Sequence, residues 1–217
     1  MRKTSAKLRL DGEQTRASLI EAAGELAAEL GWPNVQAKQV CERAGVNAAS
    51  VNYWFGGRDA LYEAVLAQIP DVLLDEASFQ AMLEEKDAEK SLDLCLDFLV
   101  NNMVRSSHWA VRVWAREVTS YPSEAFLKLA KDRGVARVGV MRNVVGAYLG
   151  LPIDDDRVCV ATIHLMSMMF WMMTVSVPIK GMLLGELIEK PAEMAKLVKN
   201  QWRVSLQALR DEIKLAT

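Results

Sequence analysis

The sequence predicts an all-α protein in two parts: a small N-terminal helical domain and a larger C-terminal helical domain. Three observations carry this. Apolar residues recur at three- and four-residue spacing nearly throughout, and no segment alternates with the two-residue period of a half-buried strand. Only 6 prolines and 12 glycines interrupt 217 residues, so the helices between them are long. Short, glycine-punctuated helices before Pro70 give way to long ones after it. With 51% apolar and 25% charged residues, the composition is that of a chain with a core to bury.

In chain order, Leu19, Ile20, Ala23, Leu26, Ala27 and Leu30 form one apolar stripe closed by Gly31. Asp11, with Gln14 three residues on, reads as the capping box that starts this helix. A short helix follows with Ala37, Val40, Cys41 and Ala44 inward, stopped at Gly45. A second runs from about Asn47 to Phe55. The pair Gly56-Gly57 breaks the chain, and Asp59 opens a helix carrying Leu61, Tyr62, Val65 and Leu66. Beyond Pro70, helices are expected at about 71–85, 88–106, 108–120, 123–150, 154–177 and 191–214. Their breaks fall at Pro122, Gly150-Leu151-Pro152, Pro178 and Pro191. The expected domains are 1–66, with a basic arm at 1–10, and 67–217. Their boundary lies inside the helix near Val65–Pro70.

Composition narrows the function classes. The net charge is −2, and residues 1–66 balance eight Lys/Arg against eight Asp/Glu, so nucleic-acid contact must come from local charge placement. The three cysteines, Cys41, Cys95 and Cys159, lie far apart within apolar helical patterns. They read as buried small hydrophobes in a reducing cytoplasm, with a thiol sensor as the alternative, and not as a disulfide framework or metal site. The first residues show no apolar signal region. Two histidines, no glycine-rich phosphate loop and no paired metal-ligand spacing leave nothing to carry catalysis and imply no cofactor.

Two short helices joined at Ala44-Gly45-Val46-Asn47 form the minimum of a helix-turn-helix. Gly45 permits the positive φ that ends one helix, and Asn47 is a good N-cap for the next. Val46, Val51 and Phe55 would face the core with Val40 and Ala44. The opposite face carries Ala49 and Tyr53, flanked by Ser50 and Asn52. It is small or hydrogen-bonding and uncharged, which suits base edges and phosphates in a major groove.

The stretch from Gly31 to Leu66, GWPNVQAKQVCERAGVNAASVNYWFGGRDALYEAVL, resembles the DNA-binding signature of the TetR family of transcriptional regulators. The matching residues are Gly31, Val40, Cys41, Ala44-Gly45-Val46, Val51, Tyr53-Trp54, Phe55, Arg58, Asp59 and Leu61. The resemblance implies a double-stranded DNA operator contacted by Gln36, Lys38, Asn47, Ala48, Ala49, Ser50, Asn52, Tyr53, Trp54 and Arg58. Asn47, Ala48 and Ala49 would open the recognition helix, Tyr53 and Trp54 would lie against phosphates, and Arg58 would bind a phosphate at the start of the next helix. Two positions depart from the pattern. Gln36 stands where the family usually has Thr, and Ala48 where basic residues are common. Base reading then leans on Asn47, Ser50 and Asn52, or on apolar contact with thymine methyls. Arg2, Lys3, Lys7 and Arg9 precede the first acid, and read either as an arm following the DNA backbone or as a solvated tail.

In the C-terminal part, Val158–Val177 contains no Asp, Glu, Lys or Arg across twenty residues. Its Met-rich composition, His164, Ser167 and Ser176, and the acids Asp154-Asp155-Asp156 argue against a membrane span. It reads instead as a helix buried on every side, against its own core and a partner's. The resemblance implies a homodimer through helices at about 154–177 and 191–214, the latter with Met194, Leu197, Val198, Trp202, Leu206, Leu209 and Ile213 at helical spacing. It also implies a small-molecule effector of unknown identity. Trp109, Arg112, Trp114, His164, Met168, Trp171 and Met172 are the candidate pocket residues, each with plain core packing as the alternative. His164 reads as a core or interface histidine. Arg105, Arg112 and Arg116 would meet an anionic ligand or pair with Glu117 or Asp97. The function expected is a repressor released from a near-palindromic operator by its effector. The alternative is a helical protein–protein adaptor.

Overall fold

Helical periodicity is realised throughout: every regular element among the described residues of the computed structural model is helical. The backbone is described for residues 2–104 and 108–216, and side chains for 12–103 and 108–216. Two compact units result, and neither is one continuous segment.

The first unit, Met1–Val72 with His108–Leu129, is built on the long helix α1 (Arg2–Leu30). The expected start of this helix at Asp11 is corrected, because the backbone is helical straight through it. Residues 2–10 contain no glycine or proline and several strong helix formers, so nothing stops the helix there. A 3-10 turn at Trp32–Asn34 leads to α2 (Ala37–Ala44), α3 (Ser50–Phe55), α4 (Arg58–Leu66) and α5 (Ile69–Leu73). Leu19, Ala23, Val35, Val40, Cys41, Val51, Leu61 and Val65 are buried at their centre.

Two later helices, α8 (Trp109–Thr119) and α9 (Glu124–Leu129), also pack in this unit. Trp109 of α8 is buried directly over Gly24. Arg116 donates from Nε to the Ala28 carbonyl at 3.1 Å and from Nη2 to the Glu29 carbonyl at 2.9 Å. These are among the last carbonyls of α1, which have no partner within the helix. Arg116 therefore caps α1 and does not pair with Glu117. Glu117, itself buried, accepts from the Tyr62 hydroxyl, from Ser123 N at 2.7 Å and from Ser123 Oγ at 3.1 Å. Burial first, then the Glu117 contact, raises the pKa of Tyr62.

The second unit, Leu73–Ser107 with Ala130–Thr217, surrounds α7 (Ala88–Val104). Packed on it are α6 (Glu76–Glu84), α10 (Val135–Leu149), α11 (Asp156–Thr174) and α13 (Pro191–Leu215). Polar pairs tie α7 to α13: Arg203 to Asp93, Lys199 to Asp97 at 2.5 Å and to Asp93 at 3.3 Å, and Arg210 to Glu89 at 2.6 Å. Asp97 is thus a lysine's partner, while Arg105 lies outside the described residues.

Two expected helices and one expected break are corrected. The segment 71–85 is divided at Leu74-Asp75, where Asp75 takes an extended backbone at the N-cap position of the next helix and its side chain accepts from Ser78 Oγ at 2.6 Å. The segment 123–150 contains a π-helical stretch, Ala130–Gly134, between α9 and α10. Pro178, expected only as a break, opens a further helix, α12 (Val177–Leu184), because a first-turn position loses nothing by lacking an N–H. Within α12, Lys180 is buried and donates to the Met172 carbonyl at 2.9 Å, and burial lowers its pKa.

Helix α11 is long and apolar enough to cross a membrane by length and composition alone. It is not buried on every side within the chain, since Val160 is 66% exposed and Ile163 60%. Cys41 and Cys95 are buried, the latter with its thiol pKa pushed up to about 12 by burial, whereas Cys159 is only half-buried.

Candidate nucleic-acid interface

The turn between α2 and α3 is fixed by backbone geometry. Gly45 takes φ 66°, ψ 32°, which costs a glycine nothing and other residues much more. Its N–H reaches the Glu42 carbonyl at 3.2 Å, and Val46 N–H reaches Cys41 at 3.0 Å. Together these form a Schellman motif closing α2. The start of α2 is closed from within: Gln39 Oε1 accepts from the Gln36 N–H at 2.8 Å. Gln36 holds the N-cap position without a hydroxyl, and its side chain is exposed.

Asn47 also serves the turn. Its Oδ1 accepts from Ala49 N–H at 2.9 Å and its carbonyl from Ser50 N–H at 2.9 Å. The helix accordingly begins at Ser50 and not at Asn47, and Ala48 and Ala49 lie in the turn that enters it. One face of α3 is buried through Val51, while Ala49, Asn52 and Tyr53 are exposed on the other and Ser50 is half-buried. Tyr53 is 79% exposed, so its ring stands free of the core. Trp54 turns the other way and lies against α1, where a Cβ at Gly12 would come within 2.9 Å of its ring.

The charged groups around the motif are largely occupied. Arg43 binds Glu29 through two contacts at 2.9 and 3.0 Å, and this pairing holds the Glu29 carboxyl below its ordinary pKa. Arg16 sits over the Phe55 ring at 5.2 Å. Arg58 lies over the Trp32 ring at 4.9 Å and donates to the Trp32 carbonyl. Trp32 in turn stacks on Tyr62 at 4.4 Å with the planes 8° apart. This aromatic corner escaped the sequence reading, although Trp32 beside Gly31 and Pro33 was its visible trace. Lys38 is exposed on α2, 3.7 Å from Glu42. The side chains of Arg2, Lys3, Lys7 and Arg9 lie outside the described residues.

Residues 19–65, which hold this motif, match the family model described as bacterial regulatory proteins, tetR family. The match covers the N-terminal motif alone, where the chain is similar to the TetR family. Among its relatives, the HTH-type transcriptional regulator RutR of Escherichia coli (strain K12) is 31% identical over 77 residues, which are 33% of this chain and 36% of RutR. The HTH-type transcriptional regulator BetI 1 of Chromohalobacter salexigens is 35% identical over 54 residues, 25% of this chain and 27% of that one. These matches span about a third of each relative's length or less. Solved structures extend the likeness of fold. AibR, in complex with isovaleryl coenzyme A and operator DNA, aligns with TM-score 0.61 at 15% identity, covering 76% of this chain and 88% of its own. The fatty acid degradation regulator FadR from Bacillus halodurans aligns at 0.59 with 13% identity, covering 87% and 94%.

The candidate effector residues divide between the units. His164, Met168 and Trp171 line an apolar groove of about 690 Å³ with Leu184, Leu187 and Leu197, while Met172 is buried beneath. His164 is exposed and not a core residue. Trp109, Arg112 and Trp114 belong to α8 of the first unit, where Trp109 is buried, Trp114 half-buried and Arg112 exposed. A second groove of about 420 Å³, lined by Val160, Ala161, His164, Leu206 and Leu209, also runs between α11 and α13.

Proposed function

We propose that the chain is a cytoplasmic, ligand-responsive DNA-binding regulator that acts as a homodimer and carries no catalytic activity. One observation carries the reading. Within a TetR-type domain, a tightly closed turn presents α3 with an uncharged, hydrogen-bonding face of Ala49, Asn52 and Tyr53 exposed. Such a face is useless to a core and suited to base edges in a major groove. We assign base contacts to Ala48, Ala49, Ser50 and Asn52, and backbone contacts to Gln36, Lys38 and Tyr53. Asn47, Trp54 and Arg58 act through the turn and corner they hold.

Dimerisation is supported by the apolar side chains left exposed on α11 and α13: Val160, Ile163, Leu197 and Val204. Two copies joined there would present two recognition helices to half-sites one helical turn apart, about 34–36 Å, and so read a near-palindrome. A small molecule that prefers a form unable to span that distance would release the DNA, and its effect is limited by that preference. That AibR holds isovaleryl coenzyme A and operator DNA in one complex supports joining the two functions on such a fold.

Selection of bound sequences from a random duplex library tests the proposal. Enrichment of a near-palindrome, bound at least about a thousandfold more tightly than random DNA, is expected for a specific regulator. If no sequence is enriched, even after the protein is unfolded and refolded to strip any bound effector, the adaptor reading takes its place.

A further inference from the structure

We infer that the recognition face selects operator half-sites through A·T pairs, with Asn52 as the adenine-reading residue. The inference rests on the DNA-binding reading above and names the base that this site takes. In the major groove, guanine is read chiefly by Arg or Lys at O6 and N7, and adenine by the paired oxygen and amide of Asn or Gln at N6 and N7. The exposed face of α3 carries no cation. The described arginines near it are held elsewhere, Arg43 by Glu29, Arg58 by Trp32 and Arg16 over Phe55. Lys38 stands on α2, beside Glu42.

Among the amides, Asn47 is withdrawn, because its Oδ1 already accepts from Ala49 N–H at 2.9 Å. Adenine needs that oxygen to accept from N6. Gln39 is withdrawn in the same way by the Gln36 N–H. On α3 itself Asn52 is the amide: it is exposed, it shares a face with Ala49 and Tyr53, and its carboxamide faces no partner among the described residues. The exposed methyl groups of Ala48 and Ala49 beside it complement the C5-methyl of thymine, which no other base carries.

The test is selection with the wild-type chain and with Asn52→Ala, followed by titration of the enriched duplex. Asn52 is exposed, so the variant should keep the wild-type melting temperature, which is checked first. The expected result is a half-site with an invariant A·T pair. Discrimination at that pair should fall roughly tenfold to hundredfold in the variant, with the rest of the site unchanged. Replacing the thymines of the half-site by deoxyuridine should weaken wild-type binding by about fourfold per contacted methyl. An enriched site that is G·C at its invariant positions, or one whose profile Asn52→Ala leaves unaltered, overturns the inference while the regulator reading stands. Absence of any enriched site overturns both.

Discussion

Gly24 shows how a single residue sets the packing of the first unit. A Cβ at this position would lie 2.5 Å from two ring carbons of Trp109, an indole only 5% exposed and unable to swing aside. Two effects oppose each other in Gly24→Ala. Helix propensity favours alanine by about 1 kcal/mol at most, whereas forcing a methyl into a filled core costs about 1–3 kcal/mol. The contact is far inside van der Waals distance, so the clash should win, with a net loss of up to about 2 kcal/mol in urea unfolding. Gly139→Ala supplies the contrast. It is also a helical glycine but has nothing within 4 Å, and it should gain about 0.5–1 kcal/mol. If both variants shift stability the same way, the close approach of α1 to Trp109 is not what keeps glycine at position 24.

Between elements, the ladder joining α7 to α13 has a defined pH dependence. Arg203, and after it Lys199, hold the Asp93 carboxyl below its ordinary pKa. A depressed carboxylate contributes stability that is present above its unfolded value, about 3.9, and lost as pH falls through the folded one. The Asp93 side chain is 42% exposed, so solvent screening keeps this contribution below about 1 kcal/mol. The stability difference between wild type and Asp93→Asn should therefore be constant near neutrality and shrink as the pH falls below about 3.9. A difference that persists into acid would mean that shape, and not charge, matters at this position. The acids and bases of this ladder were visible in the sequence, but their pairing was not, because the partners stand about a hundred positions apart. The same limit explains the other differences at this scale. Three- and four-residue apolar spacing located every long helix, since burial of one stripe is a local property. A π-helical stretch at Ala130–Gly134 keeps nearly the same periodicity and leaves no mark. In the site, the exposed face of Ala49, Asn52 and Tyr53 was legible from a hundred degrees per residue. The capture of Asn47 by its own turn and of Arg58 by Trp32 depended on rotamers and tertiary contacts that spacing does not encode.

For the whole molecule, the apolar helix α11 decides between environments. A lone span would sit in lipid, a core helix would be covered by its own chain, and a dimer helix would be covered by a second copy. Its exposed Val160 and Ile163 rule out the second within one chain. The exposed His164 and Ser167 on the same helix weigh against the first, since polar side chains are expensive against lipid. The proposed dimer would cover Val160 and Ile163, and Ile163→Asp tests it. In the isolated chain this side chain is 60% exposed, so a carboxylate there meets water and costs little. In a dimer it would be an unpaired charge at an apolar interface, with a penalty of about 3–5 kcal/mol per copy. Sedimentation of the variant should report a monomer where the wild type is a dimer. Its melting temperature should also stop rising with protein concentration, because mass action stabilises only the assembled form. Specific DNA affinity should fall with the loss of the second recognition helix, while binding to a single half-site stays at its weak wild-type level. Tyr121→Asp, at a residue 98% exposed on the first unit, serves as the control and should leave the assembly unchanged. Should Ile163→Asp remain dimeric, the two copies meet through another surface, and the grooves between α11 and α13 are then open to an effector instead of a partner.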